Sequence, residues 1–136
     1  MAEQTTLLII KPDAVRRDLV DEIIARVEDK GLRIDSKRRI RIDRELAERH
    51  YAEHSEKPFF RELVEFITSG DVIVARVTGP EAISVLRTLM GATDPARADP
   101  GTIRGDYGKV ITENLVHGSD SPESAERELG LFFAEP

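Results

Sequence analysis

The chain contains no cysteine, which removes disulfides, thiolate zinc sites and a thiol nucleophile at one stroke. No apolar run approaches the roughly 18 residues that a membrane-crossing helix needs. The opening stretch MAEQTTLLIIKPDAV has no basic segment ahead of a long apolar one, so no secretory leader is expected and a cytoplasmic location is. Repeats, low-complexity tracts and linkers are absent. There is no excess of positive charge either: the formal net charge is −6. An acidic chain is a poor general binder of nucleic acid, because neutralising phosphates supplies most of the non-specific affinity. A small phosphorylated ligand is still compatible with that balance, since a local group of Arg and Lys dominates a cleft whatever the total charge.

What is present fits one globular domain spanning residues 1–136, with 40% hydrophobic and 34% charged residues. TTLLII (residues 5–10) reads as a buried strand. Asp18, with an acid three residues later at Asp21, predicts an N-cap for a helix whose apolar face carries Ile23, Ile24 and Val27, and Gly31 is a natural stop. RIDSKRRIRID (residues 33–43) predicts a charged edge strand. RELAERHYAEH and FFRELVEFITS have helical spacing, and VIVARV (residues 72–77) is strongly β-branched. Gly79-Pro80-Glu81 predicts a helix start with Pro near its first position, running to Met90 and ending at Gly91. Residues 91–109 are rich in Gly, Pro, Asp and Thr with little periodicity, and a segment of that kind tends to be functional. A short strand at residues 114–117 precedes a helix capped by Ser121 with Pro122 following. The order is that of an α+β fold, a ferredoxin-like βαββαβ sandwich with an antiparallel sheet and additional helices.

Three histidines invite chemistry. His50 and His54 fall in HYAEH, which matches the H-x-x-E-H zinc-protease pattern. The plainer reading is a helix face carrying two imidazoles: five-residue patterns arise by chance, and a third ligand is hard to nominate. Arg104-Gly105-Asp106 spells an adhesion motif, but in a chain for which no secretory leader is expected Arg104 has a better use. His117 stands in NLVHGSDS among small and polar neighbours. Glu128 lies about two turns along the next helix, where it can fold back on the imidazole. A carboxylate on one ring nitrogen fixes the tautomer and leaves the lone pair of the other free, which suits a nucleophile or base. For a histidine that attacks phosphorus, Lys11, Arg87 and Arg104 offer the surrounding positive charge, Thr93 a hydroxyl, and Phe59 a flat face for a base. An RNA-binding module of the same fold class would carry aromatics on its sheet. TTLLII and VIVARV have none.

The segments IIKPDAV, HYAEHSEKPFF, FITSG, GATDPARADPGTIRGD and NLVHGSDSPESAERE, in that order, resemble those of the nucleoside diphosphate kinase family over nearly the whole chain. The resemblance implies a ferredoxin-like fold, a hexamer or tetramer, and transfer of a γ-phosphoryl group from a nucleoside triphosphate to a nucleoside diphosphate. It implies Mg²⁺ held by the nucleotide phosphates and no dedicated metal site on the protein. By position, it makes His117 the phosphorylated residue, reacting through Nδ1, and Glu128 its orienter. Lys11, Arg87, Thr93 and Arg104 would hold phosphates, Lys11 and Asn114 would meet the sugar 3′-hydroxyl, and Phe59 would stack on the base. Tyr51 and Asp120 match positions that support the catalytic site. Asp21, Asp71 and Tyr107 stand where the family usually has Gly, Pro and Phe, and residues 108–113 follow no close family pattern.

Overall fold

The computed structural model describes residues 3–110 and 113–133, apart from the side chain of Glu53. Four strands, β1 (Glu3–Ile10), β2 (Arg33–Arg41), β3 (Asp71–Pro80) and β4 (Val116–Gly118), form one sheet in the order β2-β3-β1-β4. Every pairing is antiparallel, which is the ferredoxin-like arrangement. Seven α-helices accompany them among the described residues: α1 (Pro12–Arg16), α2 (Val20–Asp29), α3 (Arg44–His50), α4 (Phe60–Ile67), α5 (Ala82–Met90), α6 (Ile103–Tyr107) and α7 (Pro122–Phe132). None is long and apolar enough to cross a membrane.

Successive side chains of a strand point to opposite faces, and the run LLII in β1 is apolar at every step because both faces are covered. Leu8 and Ile10 join Ala75, Val77 and Val116 beneath Ile23 and Val27 of α2 and Leu86 and Met90 of α5. Leu7 and Ile9 join Val72 and Val74 beneath Ala47, Val64, Ile67 and Phe132, from α3, α4 and α7. The additional helices thus cover the face that the two crossover helices leave open. Burying each such Leu or Ile contributes about 1.5–3 kcal/mol. β2, the charged strand, is at the sheet edge as its sequence predicts. One departure from the family pattern has a local role there: Asp71 pairs with Arg39 of β2 at 2.9 Å. Another, Tyr107, lies under the Arg26 guanidinium, 5.0 Å from the ring centre.

Three local expectations are corrected. Asp18 does not cap α2. Its backbone is left-handed at φ 59°, and Leu19 occupies the cap position without a side-chain bond. Pro80 does not open α5. It ends β3, paired with Glu3, and Glu81 makes the turn into the helix at φ 51°. Residues 91–109 are not structureless. They hold a 3-10 turn at Pro95–Arg97 and α6, which is capped by Thr102 accepting from the Gly105 amide. Gly31, at φ 84° just past α2, and Ser121, which accepts from the Ser124 amide at 3.1 Å, stand as expected.

Candidate active site

β4 runs antiparallel to β1, so the end of one meets the start of the other, with Ile10 opposite Val116 and Ile9 opposite His117. This adjacency brings Lys11, the first residue after β1, against Asn114 from the far end of the chain. The Lys11 Nζ donates to Asn114 Oδ1 at 2.8 Å, and Asn114 Nδ2 donates to the Thr93 carbonyl at 2.9 Å. Leu115, between them and His117, is left-handed at φ 77°, a conformation costly for a branched side chain. It is held by its amide donating to Asp13 Oδ2 at 3.2 Å and by its carbonyl accepting from the Lys11 amide at 2.8 Å. Gly118 follows in a tight place: a Cβ there would lie 2.9 Å from Met90 Cε and 3.2 Å from Leu86 Cδ2, so these side-chain ends would have to shift.

In antiparallel register His117 shares the face of Ile9, toward α3 and α7. Its Nε2 lies 2.9 Å from Glu128 Oε1, and the same oxygen accepts the Ser119 hydroxyl at 2.6 Å. An ionised carboxylate only accepts, so Nε2 carries the proton and Nδ1 keeps its lone pair. Burial alone pushes the Glu128 carboxyl up, but the hydrogen bonds from His117 and Ser119 together with the neighbouring imidazoles outweigh it, and the net shift is downward. Glu128 is therefore the charged partner that such a pairing needs.

These groups line a cavity of about 490 Å³. All ten residues singled out from the sequence border it: His117, Glu128, Lys11, Tyr51, Asp120, Phe59, Arg87, Thr93, Arg104 and Asn114. Four cations (Lys11, Arg87, Arg104, Arg127) face three carboxylates (Glu62, Asp120, Glu128) around it, so the wall is locally basic in a chain of net charge −6. Burial and the nearby Arg104 push the Lys11 ammonium down to about 8, while Asp13 pulls it back. Burial, then Arg87, push Arg104 down to about 10. Arg104 is more than a surface charge: it donates to the carbonyls of Gly91 (3.0 Å), Asn114 (3.3 Å) and Val116 (2.7 Å), tying α5, the loop and β4 together. Asp120 is exposed at the rim, its carboxyl held low by a Ser124 hydrogen bond. Burial pushes the Tyr51 hydroxyl upward, so it stays protonated. Phe59, 43% exposed, presents its ring to the cavity with the Lys57 ammonium 5.6 Å from its centre.

Sequence reasoning missed three contributors. Asp13 holds Leu115 in place, Ser119 shares Glu128, and His50 packs on His117. Asp13 lies in the quoted IIKPDAV segment, but nothing local in the sequence says that its carboxylate reaches residue 115. Among the described residues, the one group of three side chains close enough to share a metal joins His50 to His117 and Glu128 and leaves out His54.

Comparison with known proteins identifies the family and the fold. The family described as nucleoside diphosphate kinase matches residues 4–136. A nucleoside diphosphate kinase of Rubrobacter xylanophilus is 64% identical over 130 residues, covering 96% of this chain and 98% of its own. One of Archaeoglobus fulgidus is 57% identical over 132 residues, covering 97% and 87%. The solved structure of the Halobacterium salinarum nucleoside diphosphate kinase in complex with CDP superposes with a TM-score of 0.95 at 49% identity, covering 98% of this chain and 90% of that one. With the family matched from end to end and the fold shared, the chain belongs to the nucleoside diphosphate kinase family.

Proposed function

We propose that this chain, as a single domain of residues 1–136, transfers the γ-phosphoryl group of a nucleoside triphosphate to a nucleoside diphosphate through a phosphohistidine at His117. In the first half-reaction the His117 Nδ1 lone pair forms a bond to the γ-phosphorus as the bond to the β,γ-bridging oxygen breaks. That bond's electrons leave with the departing nucleoside diphosphate. In the second, a β-phosphate oxygen of the acceptor attacks the phosphorus, the N–P bond breaks and its electrons return to Nδ1. One cavity serves both halves because donor and acceptor are the same kind of molecule.

Each side chain has a stated part. Glu128 holds Nε2–H and stabilises the positive charge that grows on the ring as Nδ1 bonds to phosphorus. Lys11, Arg87, Arg104 and Thr93 hold phosphate oxygens, where charge spreads during transfer. Lys11 and Asn114 meet the sugar 3′-hydroxyl. Phe59 stacks on the base; stacking asks only for a flat ring, which gives broad base specificity. Tyr51 walls the cavity as a neutral phenol, and Asp120 braces its rim.

Mg²⁺ supplies neutralisation of the phosphate charges when bound. The residues present fit an ion carried by the nucleotide. Glu128 is engaged by His117 and Ser119, and the metal-capable group of three offers two imidazoles, where Mg²⁺ takes oxygen ligands. The ion would be held by the phosphates, which Lys11, Arg87, Arg104 and Thr93 would position. The protein works in the cytoplasm as a closed homo-oligomer, hexamer or tetramer, acting on free nucleotides and not on nucleic acid.

The observation that carries this reading is the His117–Glu128 pair, with Nδ1 unengaged, in a basic cavity. Initial rates measured with ATP and GDP at varied ratios test it. Parallel double-reciprocal lines and GTP formation are expected; intersecting lines, or no GTP, contradict it.

A further inference from the structure

His50 is a polar residue kept where an apolar one would fit. It ends α3, is 4% exposed, and both its ring nitrogens are covered without a hydrogen-bond partner. An orphaned buried polar atom costs about 1–3 kcal/mol, and such a group in a native fold calls for an explanation. Its neighbours are rings: Tyr51 at 4.6 Å, Phe132 at 5.4 Å and His117 at 4.6 Å between centres. Its plane stands 84° to that of His117, edge against face. The backbone here is tethered to α7, since Arg127 donates to the carbonyls of Arg49 at 3.2 Å and His50 at 3.3 Å.

The His117 ring has two fixed points, its own Cβ and the Nε2 bond to Glu128. These leave one freedom, rotation of the ring plane about the line joining them. That rotation carries Nδ1 away from any fixed line of attack. A ring pressed edge-to-face against the imidazole opposes it. We propose that His50 is a positioning residue that fixes the plane of the His117 ring through this contact, so that Nδ1 is presented in line with the phosphoryl group. The inference rests on the reading of His117 as the nucleophile. Burial, and then the neighbouring His117, push the His50 imidazole down to about 3. The wall is thus neutral at working pH and adds no charge beside the reacting ring. Glu128 favours its charged form, Arg127 and Lys11 oppose it, and burial prevails.

Replacements that keep or remove the flat ring separate this role from simple packing. His50→Phe keeps a ring and removes the two orphaned nitrogens. His50→Leu fills the space without a flat face. Phosphoenzyme formation is followed by rapid quench after mixing with MgATP, nucleotide affinity by equilibrium titration, and the His117 tautomer by ¹⁵N chemical shifts. His50→Phe is expected within about 3-fold of the wild-type rate, and His50→Leu about 10–100-fold slower, as a misplaced attacking group is. Affinity should stay within about 2-fold in both. The His117 nitrogen signals should be sharp and wild-type-like in Phe, broadened in Leu. His50→Leu reacting at the wild-type rate, or His50→Phe as slow as Leu, overturns the inference while leaving the phosphohistidine reading intact. A wild-type protein that never becomes phosphorylated at His117 overturns the reading, and this inference with it.

Discussion

At the scale of single residues, the proposed mechanism divides the site into groups that hold His117 and groups that hold phosphates, and the two should respond differently to change. Glu128→Gln keeps the shape and a hydrogen bond at Nε2 but cannot stabilise positive charge on the ring. It should slow phosphoenzyme formation by roughly 10–10³-fold with little change in nucleotide affinity. Rapid-mixing kinetics decide; a variant that transfers at the wild-type rate but binds weakly makes Glu128 something other than the orienter. Lys11 belongs to the second group. With its ammonium depressed to about 8, it is charged below that pH and loses its charge as pH rises through it. The ratio kcat/KM, which reports the free enzyme, should fall on the alkaline side of about 8, and Lys11→Arg should move that limb upward. A profile flat to pH 10 counts against the assignment. The linked stability runs the other way: between about 8 and 10.5 the unfolded chain binds the proton that the folded one has released, so stability from Lys11 rises with pH there. The ten residues singled out were legible through their positions in the family resemblance, nine of them inside its five segments and Arg87 outside them, in α5. His50, Asp13 and Ser119 were not, because their contribution is a contact and sequence spacing does not encode contacts between distant elements.

At the scale of elements, the parts that position the site are short and held by side chains. β4 has three residues and depends on β1 on one side and Arg104 on the other. Arg104→Ala leaves the carbonyls of Gly91, Asn114 and Val116 without a donor that they now share. Loss of stability on the order of 2–4 kcal/mol is expected, together with weaker nucleotide binding and slower transfer. Thermal melts beside kinetics check both; an unchanged Tm with lost activity would reduce Arg104 to a phosphate contact alone. The sequence announces elements that carry period or a cap, such as β1, β3 and the Ser121-Pro122 start of α7. It hides those set by tertiary pairing. Pro80 looks like a helix opener because its own geometry permits that, yet pairing with Glu3 keeps it in β3. α6 escapes because five residues are too few to show a period, although Thr102 carries the capping hydroxyl.

At the scale of the whole molecule, strand order turns distant segments into one cavity. The β1–β4 pairing joins residues about a hundred positions apart, and α5 and α7 bring Arg87 and Glu128 to it from opposite faces of the sheet. This is why an acidic chain has a basic cleft. The family membership also carries an expectation about assembly, a closed symmetric oligomer. Light scattering at micromolar concentration should give a multiple of the 15.2 kDa chain, and a monomer mass contradicts it. The measurement that reaches the centre of the account is the intact mass of the protein after brief exposure to MgATP. One phosphoryl group per chain is expected, labile to acid, stable to alkali, discharged by GDP and absent from His117→Ala. A mass gain that persists in His117→Ala, or a wild-type protein that gains nothing while still making GTP, contradicts the account.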